Sequence, residues 1–164
     1  TGSPNQADRV SYEALGEAVK RLKEGNPPEQ NIVVQLTENL NIFGFDKKSN
    51  SIKVNRCIIG AFGTYEVDKP KECEGSCLCL CDDKCEFFDC KYTYGSIEGF
   101  LVPNHFTGNI GEKADGKEPL ALAGKCGFLP GTGDFGLRRL DVELGKDGIV
   151  LVTESKKALT EQEK

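Results

Sequence analysis

The segment from Cys73 to Cys90 constrains this chain most, because it crowds Cys73, Cys77, Cys79, Cys81, Cys85 and Cys90 into one short stretch. Cys57 lies upstream and Cys126 downstream, which brings the total to eight. That even number is far above what a cytosolic chain of this size usually carries without a metal or redox purpose. In Cys77-Leu78-Cys79-Leu80-Cys81 an extended backbone places the three sulfurs on one face and the two leucines on the other. Residues two apart on a strand are poorly placed for an unstrained bridge, so each of the three is expected to bond outside the triplet. If all eight are oxidised, a triplet or flanking cysteine is further expected to reach Cys57 or Cys126 and tie the cluster to the strands on either side. Spacing alone does not choose the pairing.

Closely spaced thiolates also bind Zn²⁺ or Cu(I), and Cys77, Cys79, Cys81 and Cys85 are the natural ligand set for that alternative. Against it, no two C-x-x-C knuckles stand a dozen or more residues apart, and neither ferredoxin spacing is present. Thiol redox chemistry is disfavoured as well. There is no C-x-x-C, and Asp82, Asp83, Glu86 and Asp89 oppose a reactive thiolate. A disulfide framework is therefore expected, with no metal and no cofactor.

A chain of 164 residues suits one domain with a real core. Nineteen glycines and seven prolines favour many turns and short strands over long helices. The net charge of −5 provides no concentrated positive surface, so nucleic acid is excluded as an expected partner. No run approaches the roughly 20 apolar residues that span a bilayer. The chain opens on Thr1 and contains no methionine, from which we expect that a signal peptide or membrane anchor has been removed, or that Thr1-Gly2-Ser3 is a cloning remnant.

Residues 1–10 read as a flexible lead-in. A helix is expected from about Ser11 to Glu24, with Leu15, Ala18, Val19 and Leu22 on one face, Ser11 as its cap and Gly25-Asn26-Pro27-Pro28 as its stop. This helix would be the natural continuation of any anchor. From Asn31 the period changes to two, and Ile32, Val34 and Leu36 mark a strand. Leu40 to Phe45 and Ile52 to Ile59 suggest a hairpin across the polar turn 46–51, extended through residues 60–67. Weaker strands are expected near Phe87 to Tyr94, Ile97 to Val102 and Leu120 to Phe128. The clearest pair runs through Leu140, Val142 and Leu144, turns at Gly145-Lys146-Asp147-Gly148 and returns through Ile149 to Val152. Residues 11–154 thus form one disulfide-stapled domain, and 155–164 a charged tail.

Other signals are weaker. Gly131-Thr132-Gly133-Asp134-Phe135-Gly136 matches the dinucleotide-binding expression, but the strand pattern that follows is the wrong context, because the phosphate needs a helix N-terminus. His105 is the only histidine, which limits imidazole chemistry to one group. It lies in a polar stretch, Asn104 to Glu118, that lacks periodicity; Asn104 and His105 are the candidate binding-loop residues. No calcium loop and no glycosylation sequon occur.

The expected fold is α+β: an N-terminal helix packed on a mainly antiparallel sheet or sandwich, with a disulfide-rich loop insertion. That outline is similar to the soluble part of pilin-like subunits, an analogy of architecture carried by no sequence motif. The expected role is non-enzymatic and extracellular or at the cell surface: structural, adhesive or in assembly, with protein partners or self-association. The alternatives are a thiolate metal-binding or redox module and a secreted enzyme built on His105 or on carboxylates of the Asn104 to Glu118 loop.

Overall fold

A computed structural model describes residues 4–56, 63–86, 88–126 and 137–155. The chain opens with helix α1 (Gln6–Lys23), followed by strands β1 (Glu29–Gln35), β2 (Asn41–Phe45), β3 (Ser51–Asn55), β4 (Thr64–Asp68), β5 (Ser76–Cys81), β6 (Phe88–Tyr94), β7 (Gly99–Leu101) and β8 (Ala121–Ala123). A 3-10 turn (Gly124–Cys126) and strands β9 (Leu137–Leu144) and β10 (Ile149–Glu154) complete it. One sheet has the order β1-β9-β10-β7, a second the order β6-β5-β2-β8, and β3 pairs with β4. Among the described residues every strand pairing is antiparallel except β10 with β7. This is the expected α+β class, with one helix on mostly antiparallel sheets.

The helix starts five residues earlier than the sequence pattern suggests. Asn5 is its cap: its side chain accepts from the Asp8 amide at 2.9 Å, and Asp8 accepts from the Asn5 amide at 2.9 Å. Such a reciprocal capping box satisfies two orphan donors of the first turn. Asp8 is fully buried and also takes the Thr37 amide at 2.8 Å, pinning the helix start to the chain after β1. Ser11 is not a cap. It lies inside the helix, where its hydroxyl donates to the Gln35 carbonyl at 3.0 Å and accepts the Gln35 amide at 2.7 Å. Residues 6–10, read from sequence as part of a flexible lead-in, are thus helical. Because Asn5 is extended (φ −87°, ψ −179°), α1 begins at its cap and does not continue a helix through that residue.

The first core lies between α1 and the two larger sheets. Tyr12, Leu15, Val19 and Leu22 of α1 meet Ile32, Val34, Leu140, Val142, Val150 and Val152 of one sheet and Ile42, Leu78, Leu80 and Leu122 of the other. Gly44 allows the sheets to meet, since a Cβ there would come within 2.9 Å of the Phe100 ring. Gly16 does the same for the helix, where a Cβ would overlap the ring of Tyr92. In β1, Asn31 adopts φ +58°, a conformation asparagine tolerates, at the irregularity between Glu29 and Ile32, and donates its amide to Asp141 at 3.0 Å.

Two tyrosines are enclosed in this core. Tyr12 donates to the Leu78 carbonyl and Tyr94 to the Gly16 carbonyl, each at 2.7 Å. Burial, aided by the Asp89 carboxylate, holds the Tyr12 phenol far above its ordinary pKa. Burial, aided by Tyr12, does the same for Tyr94. Their folded pKa values exceed the unfolded value of 10.0, so their contribution to stability is complete below that pH and is lost as pH rises above it. We expect alkaline titration followed by ultraviolet absorbance to show two of the four tyrosines ionising only together with loss of circular dichroism. Four independent ionisations near pH 10 in a chain that stays folded would contradict this packing.

Several expectations from sequence are revised. The segments around β2 and β3 do not form a hairpin: β2 lies between β5 and β8, and β3 pairs with β4. The reason is that every residue of β2 is buried, so it needs cover on both faces and partners on both edges, as only a central strand has. The polar stretch Asn104 to Glu118, which lacks periodicity in sequence, is packed into the fold. Ile110 donates to the Ala121 carbonyl and accepts from the Asn55 amide, Gly111 bridges Val54, and Phe106 and residues 108–111 are buried. Ser155, assigned to the tail, is buried and donates to the Asn31 side chain at 2.7 Å. The C-terminal hairpin is as expected: β9 and β10 pair from Leu144 with Val150 to Leu140 with Glu154. The glycine-rich motif 131–136 lies outside the described residues, and the strand expected after it is β9.

Candidate functional site

The most distinctive chemistry of the chain gathers on β5. This strand is buried along its whole length because both faces of its sheet are covered. Leu78 and Leu80 face the first core, and Cys77, Cys79 and Cys81 face a second one. Period-two alternation thus sorts leucines from sulfurs as the sequence predicts. Register with β2 sets Phe45 opposite Cys77, Phe43 opposite Cys79 and Asn41 opposite Cys81. The second core is closed by the β3–β4 hairpin through Ile52, Val54 and Val67, and by Ile110.

Three disulfides leave the strand: Cys73–Cys77, Cys79–Cys90 and Cys81–Cys85, with Cα–Cα distances of 5.7, 4.3 and 4.6 Å. All lie in the range that bridged cysteines occupy, give or take a tenth of an ångström. The strand is clamped to a tight loop at each end and to the neighbouring strand β6 at its centre. Gly75, at φ +76°, turns the first loop, and Cys85, at φ +56°, turns the second while donating its amide to the Asp82 carbonyl at 3.1 Å. No bond joins two members of the triplet. No cluster cysteine reaches Cys57 or Cys126 either, contrary to expectation, because six cysteines can pair completely among themselves. Cys57 and the Cys126 side chain lie outside the described residues.

The sulfurs form one continuous group. Cys77 and Cys79, which belong to different disulfides, have their sulfurs 3.5 Å apart. The sulfurs of Cys77, Cys79 and Cys90 lie within 4.8 Å of one another, as do those of Cys79, Cys81 and Cys85. The inner members are fully enclosed, and their partners Cys73, Cys85 and Cys90 stand at the rim with 6 to 8 % of their surface exposed.

Of the candidate loop pair, Asn104 and His105 are both exposed. His105 Nδ1 lies 3.2 Å from Glu118, a buried carboxylate that also accepts from Asn109 at 3.0 Å. This arrangement orients an imidazole, but no serine or cysteine nucleophile is recorded in contact with it among the described residues. Sequence reasoning missed two features. One is an open cleft beside the Cys81–Cys85 bridge, lined by Asn55, Arg56, Tyr65, Asp83, Lys84 and Lys125. There Lys125 pairs with Asp83 at 2.7 Å, Arg56 lies 5.1 Å above the Tyr65 ring, and burial raises the Tyr65 pKa. Its lining, which also includes Ile110, comes from five separate segments, so no local pattern announces it. The other is Arg138, buried at the inner face of β9, whose guanidinium donates to the Thr107 and Leu137 carbonyls and whose pKa burial lowers. In β9 its alternation with Leu140 and Val142 was the available signal.

The chain matches no protein-family model, none of the curated proteins and none of the solved structures to which it was compared.

Proposed function

We propose that this chain is a non-enzymatic domain of an extracellular or cell-surface protein, with a structural, adhesive or assembly role. The observation that carries the reading is the burial of three disulfides inside a hydrophobic core, bonded to an inner strand of a sheet. Disulfides placed this way serve the fold and persist in an oxidising compartment.

A second feature supports contact with protein partners. The outward face of the β1-β9-β10-β7 sheet carries Val33, 46 % exposed, and half-buried Leu101, Ile149 and Leu151 beside Arg139 and Glu143. A sheet face mixing apolar and charged side chains suits a polar-rimmed protein contact better than a small-molecule pocket. The pilin-like analogy extends to the order of helix, antiparallel sheet and disulfide loop. It does not extend to a helix running unbroken through Asn5.

The test is cell-impermeant amine labelling of intact source cells, combined with alkylation under denaturing, non-reducing conditions. The expected result is a labelled chain in which none of the eight cysteines takes the alkylating agent. Labelling only after lysis, together with alkylatable cysteines, would sink the proposal.

A further inference from the structure

We propose that these sulfurs, once reduced, form a two-ion thiolate site for divalent d10 cations such as Zn²⁺ and Cd²⁺, with Cys79 as the ligand the two ions share. This goes beyond the reading above, which concerns the oxidised chain. The geometry rests on two triads, Cys77, Cys79, Cys90 and Cys79, Cys81, Cys85, each with its sulfurs inside 4.8 Å in the oxidised chain, where one disulfide, Cys79–Cys90 or Cys81–Cys85, lies within each triad. Cys79 is their common member. A tetrahedral zinc with bonds of about 2.3 Å sets its sulfurs about 3.8 Å apart, so the bonded pair in each triad must move apart by side-chain rotation once it is reduced. The grouping also amends the ligand set suggested by spacing, which lacked Cys90 and treated four sulfurs as one site.

Strand pairing and a turn place the ligands alongside the sulfur bonds, and metal bonds would take over the holding role of the lost bridges. Pairing of β5 with β2 sets Cys77, Cys79 and Cys81 on one face. Strand β6 carries Cys90, and the turn closed on the Asp82 carbonyl carries Cys85. Five thiolates in an apolar pocket repel one another, and two divalent cations nearly neutralise them. Soft thiolate donors select this class of metal over Mg²⁺ or Ca²⁺. Cys85 and Cys90 keep 6 to 8 % of their surface exposed, so each triad has one member within reach of a water as fourth ligand.

The chemistry balances as follows. Each disulfide accepts two electrons and two protons from an external dithiol, which is oxidised to its own disulfide, and two cysteine thiols result. On binding, every ligating thiol releases its proton to solvent as the sulfur–metal bond forms.

The test uses the full chain, reduced anaerobically with dithiothreitol, freed of reductant and titrated with Cd²⁺ while thiolate-to-cadmium charge-transfer absorption is followed. Two equivalents are expected, displaced by excess Zn²⁺. Cys81→Ser should leave one, and Cys79→Ser should weaken both by tenfold or more. Cys73→Ser, a cysteine of neither triad, should leave both intact. The contrast between Cys73→Ser and Cys79→Ser holds even if the reduced chain folds only on metal binding, since an unstructured chain would treat the two alike. Equal losses in those two variants, fewer than two equivalents in the parent chain, or two tight sites surviving in Cys79→Ser would each overturn the proposal.

Discussion

Replacing Cys79 and Cys90 together by alanine is expected to lower the free energy of unfolding by about 3 kcal/mol, the largest loss from any one of the three bridges. Cys79 and Cys90 are eleven residues apart, whereas the other two bridges each span four. Closing a longer loop removes more entropy from the denatured chain, which sets the shorter bridges at about 2 kcal/mol each. Together the three amount to about 7 kcal/mol, against a total stability of about 5 to 15 kcal/mol for a domain. Reduction of all three is therefore expected to remove most of the stability. Urea denaturation of the oxidised protein, the double variant and the reduced chain checks both statements. A double variant with an unchanged midpoint would mean that the bridge decorates the fold instead of holding it.

The second large effect is expected at Phe43. Its ring is fully buried opposite Cys79 and packs edge-to-face on Phe45, with centroids 6.4 Å apart. Phe43→Ala should cost about 3 to 5 kcal/mol, since the cavity lies under a sheet covered on both sides and cannot collapse easily. Because the ring belongs to the sulfur-bearing core, the variant should also be reduced faster by dithiothreitol under native conditions. Leu78→Ala, on the opposite face of the same sheet, should cost a comparable amount without that acceleration. Thermal unfolding and a timed thiol assay on the two variants separate the cores. Equal reduction rates in both would show that the two faces do not shield the sulfurs differently.

These expectations show where sequence stops being informative. Period-two alternation in Cys77-Leu78-Cys79-Leu80-Cys81 was enough to assign sulfurs and leucines to opposite faces, because alternation is a property of one extended chain. The same holds for the β9–β10 hairpin, whose turn residues and apolar positions are neighbours in sequence. It holds too for the apolar stripe of α1. The start of α1 was missed although Asn5 and Asp8 stand at capping-box spacing, since Ser11 offered a competing cap and the last apolar position before it, Val10, is exposed.

What the tertiary structure decided is non-local. Strand β2 is buried throughout, with Asn41 its one polar side chain, and has no polar face to mark its orientation, so only its place between β5 and β8 shows that it is an inner strand unpaired with β3. The connection of Cys79 to Cys90 depends on β6 lying beside β5, and a pairing across eleven residues leaves no trace in spacing. The cleft of Arg56, Tyr65, Asp83 and Lys125, and the insertion of residues 108–111 between β3 and β8, arise only when separate segments converge. Side-chain period and capping act over one or two turns of chain and can be read in order. Strand partnership and sulfur pairing are settled by burying two faces of a sheet at once, which no single stretch of sequence encodes.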